Sequence, residues 1–143
     1  MGDRIKLRIR IGERIVDTIA LVSTDFETDE PQLLVPYAFL VRNGIDLGSL
    51  GKPIMLEYDT AGGAITMFAY PKVCRVSVVE PDRSSKEVES DLVISLTEKE
   101  ALISDALAAE LGIVILNPRT GLWRLIDDDQ SITGHSYRQQ LWI

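Results

Sequence analysis

The chain of 143 residues has little of several residue types that commonly mark a function. Its single cysteine, Cys74, cannot form an internal disulfide, and its single histidine, His135, cannot make a metal site by itself. No apolar run has the length of a membrane span, and the first residues have no signal-peptide core. We therefore predict a cytoplasmic protein that needs no cofactor and has no membrane partner.

Basic residues are also scarce. There are 15 lysines and arginines against 22 aspartates and glutamates, which gives a net charge of −7. Nucleic-acid-binding proteins normally have a basic patch, so no nucleic-acid partner is expected. What the chain does have is a hydrophobic fraction of 45%, at a length that suits one domain with a buried core.

The amino-terminal part is predicted to be β-structure. Residues 5–11 alternate apolar and basic side chains, which is the pattern of a strand with one solvated face. A turn at Gly12-Glu13 leads into a second strand over residues 14–22, so we expect a hairpin. Residues 23–32 are a polar loop rich in acids. We interpret this loop as solvated rather than as a cation site, because its carboxylates lack the spacing of a calcium loop.

Short apolar runs between polar segments predict the remaining strands. They cover residues 33–35, 54–58, 64–68, 73–79, 91–96, 113–116 and 122–126. Two of these runs flank a glycine-rich tip at residues 59–63 and predict a second hairpin. The polar residues 46–52 and 80–90 are predicted loops. Cys74 lies in a strand, where a small packed side chain is favoured over a nucleophile.

Four segments, taken in order, resemble the retropepsin-like (retroviral-type) aspartic proteases. An apolar strand runs into Ser23-Thr24-Asp25 where that family has Asp-Thr-Gly, and residues 33–36 match its Leu-Leu/Ile-Val-Pro-like segment. The hairpin over residues 54–68 stands where the family has its flap, and Ile103-Ser104-Asp105 stands where it has Ile-Gly and a polar residue. The resemblance covers residues 5–126.

This resemblance implies a mostly-β fold, a closed barrel with a flap hairpin and two short helices. The domain would comprise residues 1–126, followed by a tail over residues 127–143. Pro36 and Gly44 suit the ends of the first helix. A capping box at residues 97–100 would start the second helix there. We favour the family's later start at Ser104, whose hydroxyl can cap the helix.

The resemblance also implies the candidate site, which is Ser23, Thr24 and Asp25. Aspartic proteolysis uses two carboxylates that share a proton, one activating a water and the other donating to the peptide carbonyl. A chain with one such loop has to form a homodimer, so that two loops meet on a two-fold axis. In the family the threonine bonds across that axis, and Thr24 can keep this role.

Three hypotheses for the function follow. Ser23 stands at the family's catalytic aspartate but has no carboxylate and no adjacent base, which favours a homodimer with little or no peptidase activity that binds a peptide or partner under the flap. The alternative is an active endopeptidase that uses Asp25 of each subunit, displaced by about 7 Å along an extended chain. In the third, the dimer only scaffolds a partner, through the flap groove or through Leu141-Trp142-Ile143.

Overall fold

The computed structural model describes residues 2–23, 25–128 and 132–143, and these form ten strands and two α-helices. A single turn of 3₁₀-helix, Leu47–Leu50, lies in the predicted loop at residues 46–52. The elements are β1 (Arg4–Ile11), β2 (Arg14–Val22), β3 (Gln32–Pro36), α1 (Tyr37–Arg42), β4 (Ile54–Thr60), β5 (Gly63–Val78), β6 (Val88–Ser95), β7 (Ala101–Ile103), α2 (Asp105–Leu111), β8 (Ile113–Asn117), β9 (Leu122–Leu125) and β10 (Gly134–His135).

Six strands close into a barrel in the order β1-β2-β7-β3-β6-β5, and β5 then pairs with β1. The closing pair is antiparallel and joins Leu7 to Val78 and Ile11 to Cys74. β4 lies outside this ring and pairs with β5 as a hairpin. The prediction of a mostly-β closed barrel is therefore confirmed.

The barrel interior follows from the period of two in its strands. In β1 the side chains of Leu7 and Ile9 are fully buried and Ile11 is nearly so, whereas Arg8 and Arg10 between them are exposed. Arg8 forms a two-pronged ion pair with Asp17 on β2, at 2.9 and 3.2 Å. The basic face of β1 is thus a solvated strand face, paired partly with acids.

The second hairpin differs from its prediction at its carboxyl-terminal side. Residues 64–68 and 73–79 were expected as separate strands, but they belong to one bent strand, β5. Its register to β6 shifts between Tyr70 and Cys74, where Lys72 has a left-handed φ of 52°. The Lys72 amide does not pair with the backbone of β6 and donates instead to Asp91 Oδ1 at 3.0 Å. A β-bulge of this kind bends a strand without ending it.

The second helix begins where the later of the two predicted starts placed it. Ser104 is its N-cap, and Gly112 ends it with a left-handed φ of 76°. The capping-box segment at residues 97–100 is not helical. Its first amides instead bond to the buried Ser95 hydroxyl, from Thr97 at 3.2 Å and from Glu98 at 2.9 Å. Within the described residues, neither α-helix is long and apolar enough to cross a membrane.

The carboxyl-terminal residues 134–143 pack on the barrel. β10 pairs with β9, and the Tyr137 amide donates to the Arg4 carbonyl at 2.9 Å. The Trp142 ring meets Phe39 edge-on at 5.1 Å, and its Nε1 donates to Thr18 Oγ1 at 3.0 Å. The apolar end of the chain therefore docks on its own domain.

Replacing Trp142 with alanine should destabilise the fold, because the ring packs against the main core and its indole N–H is satisfied there. We expect the free energy of unfolding to fall by about 2–4 kcal/mol, below the range for a fully buried tryptophan because the side chain is partly exposed. Urea unfolding measures the change. The matched variant is Leu141→Ala at a side chain that is 48% exposed, and an equal loss in both variants would contradict the docking.

One buried carboxylate, that of Asp3, lowers the stability of the folded state at neutral pH. Asp3 is only 2% exposed, and neither of its oxygens has a hydrogen-bond partner in the described part of the chain. Burial raises the pKa of Asp3 above its ordinary value of 3.8, because the charged form loses solvation. The folded state therefore holds the proton more tightly than the unfolded state does, and this group favours folding at low pH.

Asp3→Asn should raise the free energy of unfolding at pH 7 by about 1–3 kcal/mol, since it removes a poorly solvated charge. The gain should shrink as the pH falls towards 3.8, where the wild-type carboxyl of both states takes up its proton. Urea titrations at several pH values test this, with the exposed Asp29→Asn as the control. A destabilised Asp3→Asn would mean that the carboxylate has a favourable partner.

Candidate functional site

A cleft of about 530 Å³ lies between the loop that follows β2 and the hairpin of β4 and β5. The loop contributes Ser23, Asp25, Phe26 and Glu27, and the hairpin contributes residues 57–59, 61, 65 and 67. Leu34 and Leu102 form its floor, with Ser95, Thr97 and Glu98 at one end. Ser23 and Asp25, two of the candidate site residues, therefore border one space with the hairpin.

The loop is held by its neighbours rather than by its own strand. β2 runs parallel to β7, and the Ser23 amide continues that pairing by donating to the Ile103 carbonyl at 3.2 Å. The Phe26 amide then donates back to the Ser23 carbonyl at 3.3 Å, which closes a turn. The Asp105 amide donates to the Phe26 carbonyl at 3.0 Å, and Asp105 Oδ1 accepts from the Thr28 amide at 2.8 Å. The start of α2 thus fixes the far side of the loop.

Two of the three predicted site residues are brought to the cleft. Ser23 lines it and is half-buried, and Asp25 lines it and is exposed. Thr24 lies outside the described residues, so its predicted role across a dimer axis stays a prediction.

The altered second motif has a structural role. Ser104 is fully buried, and its hydroxyl accepts from the Leu107 amide and from the Gln32 amide, each at 3.1 Å. Its own amide donates to the Gln32 carbonyl at 3.1 Å. The predicted cap is confirmed, and the same side chain also joins β3 to α2 behind the cleft.

The hairpin is fastened over the loop by Tyr58. Its ring meets Phe26 edge-on at 6.0 Å, and its hydroxyl donates to Gln32 Oε1 at 2.8 Å. Burial raises the pKa of Tyr58, so the phenol stays neutral and remains a donor at physiological pH. Tyr58 therefore joins the hairpin both to the loop after β2 and to β3.

A second apolar cluster, separate from the barrel core, forms the wall behind this contact. Its buried members are Phe26, Leu34, Met67, Ala69 and Val93. In β3 the neighbours of Leu34 face the barrel interior, so this strand is buried on both sides. The unbroken apolar run at residues 33–35 was the available signal, because strands with two buried faces do not alternate. Tyr58 and Gln32 had no comparable signal in the sequence.

The electrostatic character of the cleft is acidic throughout. Its ionisable residues are Tyr58 and five acids, and it includes no lysine, arginine or histidine. The acids are Asp25, Glu27, Glu57, Asp59 and Glu98. Within the described residues, no three acids, histidines or cysteines are close enough together to hold a metal ion. The interpretation of residues 23–32 as a solvated acidic loop agrees with the exposure of its four carboxylates, Asp25, Glu27, Asp29 and Glu30, although Phe26 between them is buried.

The remaining reactive side chains do not belong to the cleft. Cys74 is buried at 2% exposure, and its Sγ lies 3.3 Å from the Ser90 carbonyl. Burial raises the pKa of this thiol to about 12, so it is protonated and is no nucleophile at neutral pH. The prediction of a packed cysteine is confirmed. His135 pairs with Leu122 at the edge of the small sheet.

The chain matches no known family and no curated protein when their sequences are compared with it. Its function has to be inferred from the cleft and from the fold that builds it, since a fold supports many functions.

Proposed function

We propose that the protein is a homodimer with the retropepsin-like aspartic-protease fold, which binds an extended peptide or partner in the cleft and has little or no peptidase activity. The observation that supports this most is the position of the Ser23 loop. It leaves the end of a barrel strand and faces the β4–β5 hairpin across a cleft of about 530 Å³. That volume lies within the range of ordinary ligand sites.

The chemistry of Ser23 argues against catalysis. A serine nucleophile needs a base that takes its proton. The residues that line this cleft include neither histidine nor lysine, and among the described residues none of the five carboxylates hydrogen-bonds to the Ser23 hydroxyl. A serine also cannot replace a carboxylate in a proton-sharing pair, because its hydroxyl does not ionise at physiological pH. In the proposed fold this loop would stand where the family has its catalytic loop, but without the acid.

A second candidate function is an aspartic endopeptidase that uses Asp25. Asp25 lines the cleft, and the turn between Ser23 and Phe26 brings it closer to Ser23 than an extended chain would. A carboxylate from each copy of a dimer would be needed, since proton sharing requires two. Misplacement by about 1 Å is enough to reduce catalysis strongly, so the inactive alternative is favoured.

Peptidase assays with an unfolded protein substrate, run from acidic to neutral pH, separate the two functions. We expect no turnover by the wild type or by Asp25→Asn, because neither provides a correctly placed pair of acids. Ser23→Asp restores a carboxylate at the family's catalytic position and should give measurable cleavage if the fold and the dimer are as proposed. Wild-type turnover that Asp25→Asn abolishes would instead establish the endopeptidase.

The proposed dimer has a suitable strand edge. Within the described residues β8 pairs with β9 on one side only. Two apolar side chains of β8, Ile115 and Leu116, are 37% and 46% exposed. An open apolar edge strand presents unpaired backbone N–H and C=O groups, with which another chain can pair. In a two-fold dimer, two copies of β8 can form these hydrogen bonds with each other.

Sedimentation measured over a range of concentrations tests the dimer. We expect the wild type to sediment with twice the mass of the chain, and Leu116→Lys to shift the equilibrium towards the monomer because a charge would be placed in the interface. The matched variant is Val41→Lys on α1, where the side chain is 61% exposed. A wild type that is monomeric at every concentration would exclude the dimer, and equal effects of the two lysines would exclude the β8 edge.

A further inference from the structure

None of the five carboxylates of the cleft has a salt-bridge partner among the described residues, and the residues that line the cleft include no lysine, arginine or histidine. The salt bridges of the described residues involve acids elsewhere, such as Asp17 with Arg8, Glu100 with Arg4 and Asp128 with Arg83. None of them involves the five carboxylates of the cleft. The charge there is uncompensated within the described structure.

These five carboxylates come from three separate segments. Asp25 and Glu27 lie on the loop after β2, Glu57 and Asp59 lie on β4, and Glu98 follows β6. Charges of one sign around a cleft with apolar walls focus the electric field and attract ions of the opposite sign. Anionic ligands, such as phosphates and acidic peptides, are therefore disfavoured.

The spacing of the carboxylates favours a ligand with several separate cationic groups over a single metal ion. They do not converge into a group that could hold a metal ion. A single small cation would therefore meet too few ligands, whereas several cations at separate points along one chain could each meet a carboxylate.

The floor of the cleft suits the stems of long basic side chains. Ile65 and Leu102 line the cleft and are half-buried, so they provide its accessible apolar surface, whereas Leu34 and Met67 in the same lining are buried. Lysine and arginine bury their methylene stems on such surface while the charged end reaches a polar rim. A ligand with short or purely polar side chains would leave this floor uncovered.

We propose that the cleft binds an extended peptide segment with two or more lysine or arginine residues among apolar ones. The proposal rests on the proposed function, in which the cleft is a peptide site, and it names the chemical class of that peptide. Basic ends pair with the rim carboxylates, and stems and apolar residues cover the floor.

Fluorescence anisotropy with two labelled octapeptides tests the proposal. One peptide alternates arginine and leucine, and the other has glutamine in place of each arginine. We expect the arginine peptide to bind at least about tenfold more tightly, and its advantage to decrease as salt is raised from 50 to 500 mM, because exposed ion pairs are screened.

The decisive variant is Glu57→Gln with Asp59→Asn, which neutralises two carboxylates on the hairpin. It should weaken the arginine peptide by about tenfold and leave the glutamine peptide unchanged, since each partly exposed ion pair contributes modestly. The matched control is Glu13→Gln with Asp127→Asn, which changes the net charge equally at two exposed acids outside the cleft. Thermal unfolding of both variants verifies that they fold.

The outcomes separate this inference from the function on which it rests. If neither peptide binds, the peptide-binding function itself is wrong. If both peptides bind equally well, the cleft binds peptides but does not select basic ones. If the control weakens the arginine peptide as much as the hairpin variant does, only net charge matters, and the inference is again overturned.

Discussion

The candidate site depends on the hydrogen bonds at Ser104. This buried residue bonds to Gln32 through both its amide and its hydroxyl, and the hydroxyl also caps α2 through the Leu107 amide. β3 is thereby fixed beside α2, and Asp105, the first residue of that helix, holds the loop after β2. A buried hydroxyl without hydrogen bonds would lower the stability of the fold, so these bonds favour one arrangement of β3 and α2. The position of Ser23 and Asp25 thus follows from contacts made behind the cleft.

The same strands build the barrel and the cleft. In β3, β6 and β7 alternate side chains face the barrel interior, and those between them, such as Leu34, Val93 and Leu102, form the outer apolar cluster. The hairpin of β4 and β5 covers this cluster through Met67 and Tyr58. Since apolar surface on a closed barrel must be covered, the hairpin is stabilised where a ligand would lie. A bound peptide would replace part of that contact.

Local features of the fold were predictable from sequence because nearby residues determine them. The bounds of β2 and the existence of the β4–β5 hairpin depend on patterns within a few positions, although the strands run to Thr60 and from Gly63, further than the predicted tip at residues 59–63 allowed. At the second helix the local pattern, a capping box at residues 97–100, was wrong, and the start at Ser104 came from the resemblance. The pairing of β1 with β5 was not predictable, since it joins Leu7 to Val78, which are far apart in the sequence. The bend of β5 at Lys72 was missed because its energetics depend on Asp91, a distant partner in sequence. Local sequence patterns therefore predicted the loop at residues 23–32, but not the contacts with distant residues that hold it in place.

The proposed dimer and the proposed ligand are physically connected. Two copies that meet near their Ser23 loops would bring two acidic clefts together, and repulsion between them would oppose association. A basic segment neutralises the same carboxylates, so its binding would reduce that repulsion and favour the dimer. In the proposed dimer a serine at position 23 acts in the same direction, because unlike an aspartate it places no carboxylate near the axis. In this proposal the acids of the cleft serve recognition of a cationic segment, and a dimer would bring two such sites together.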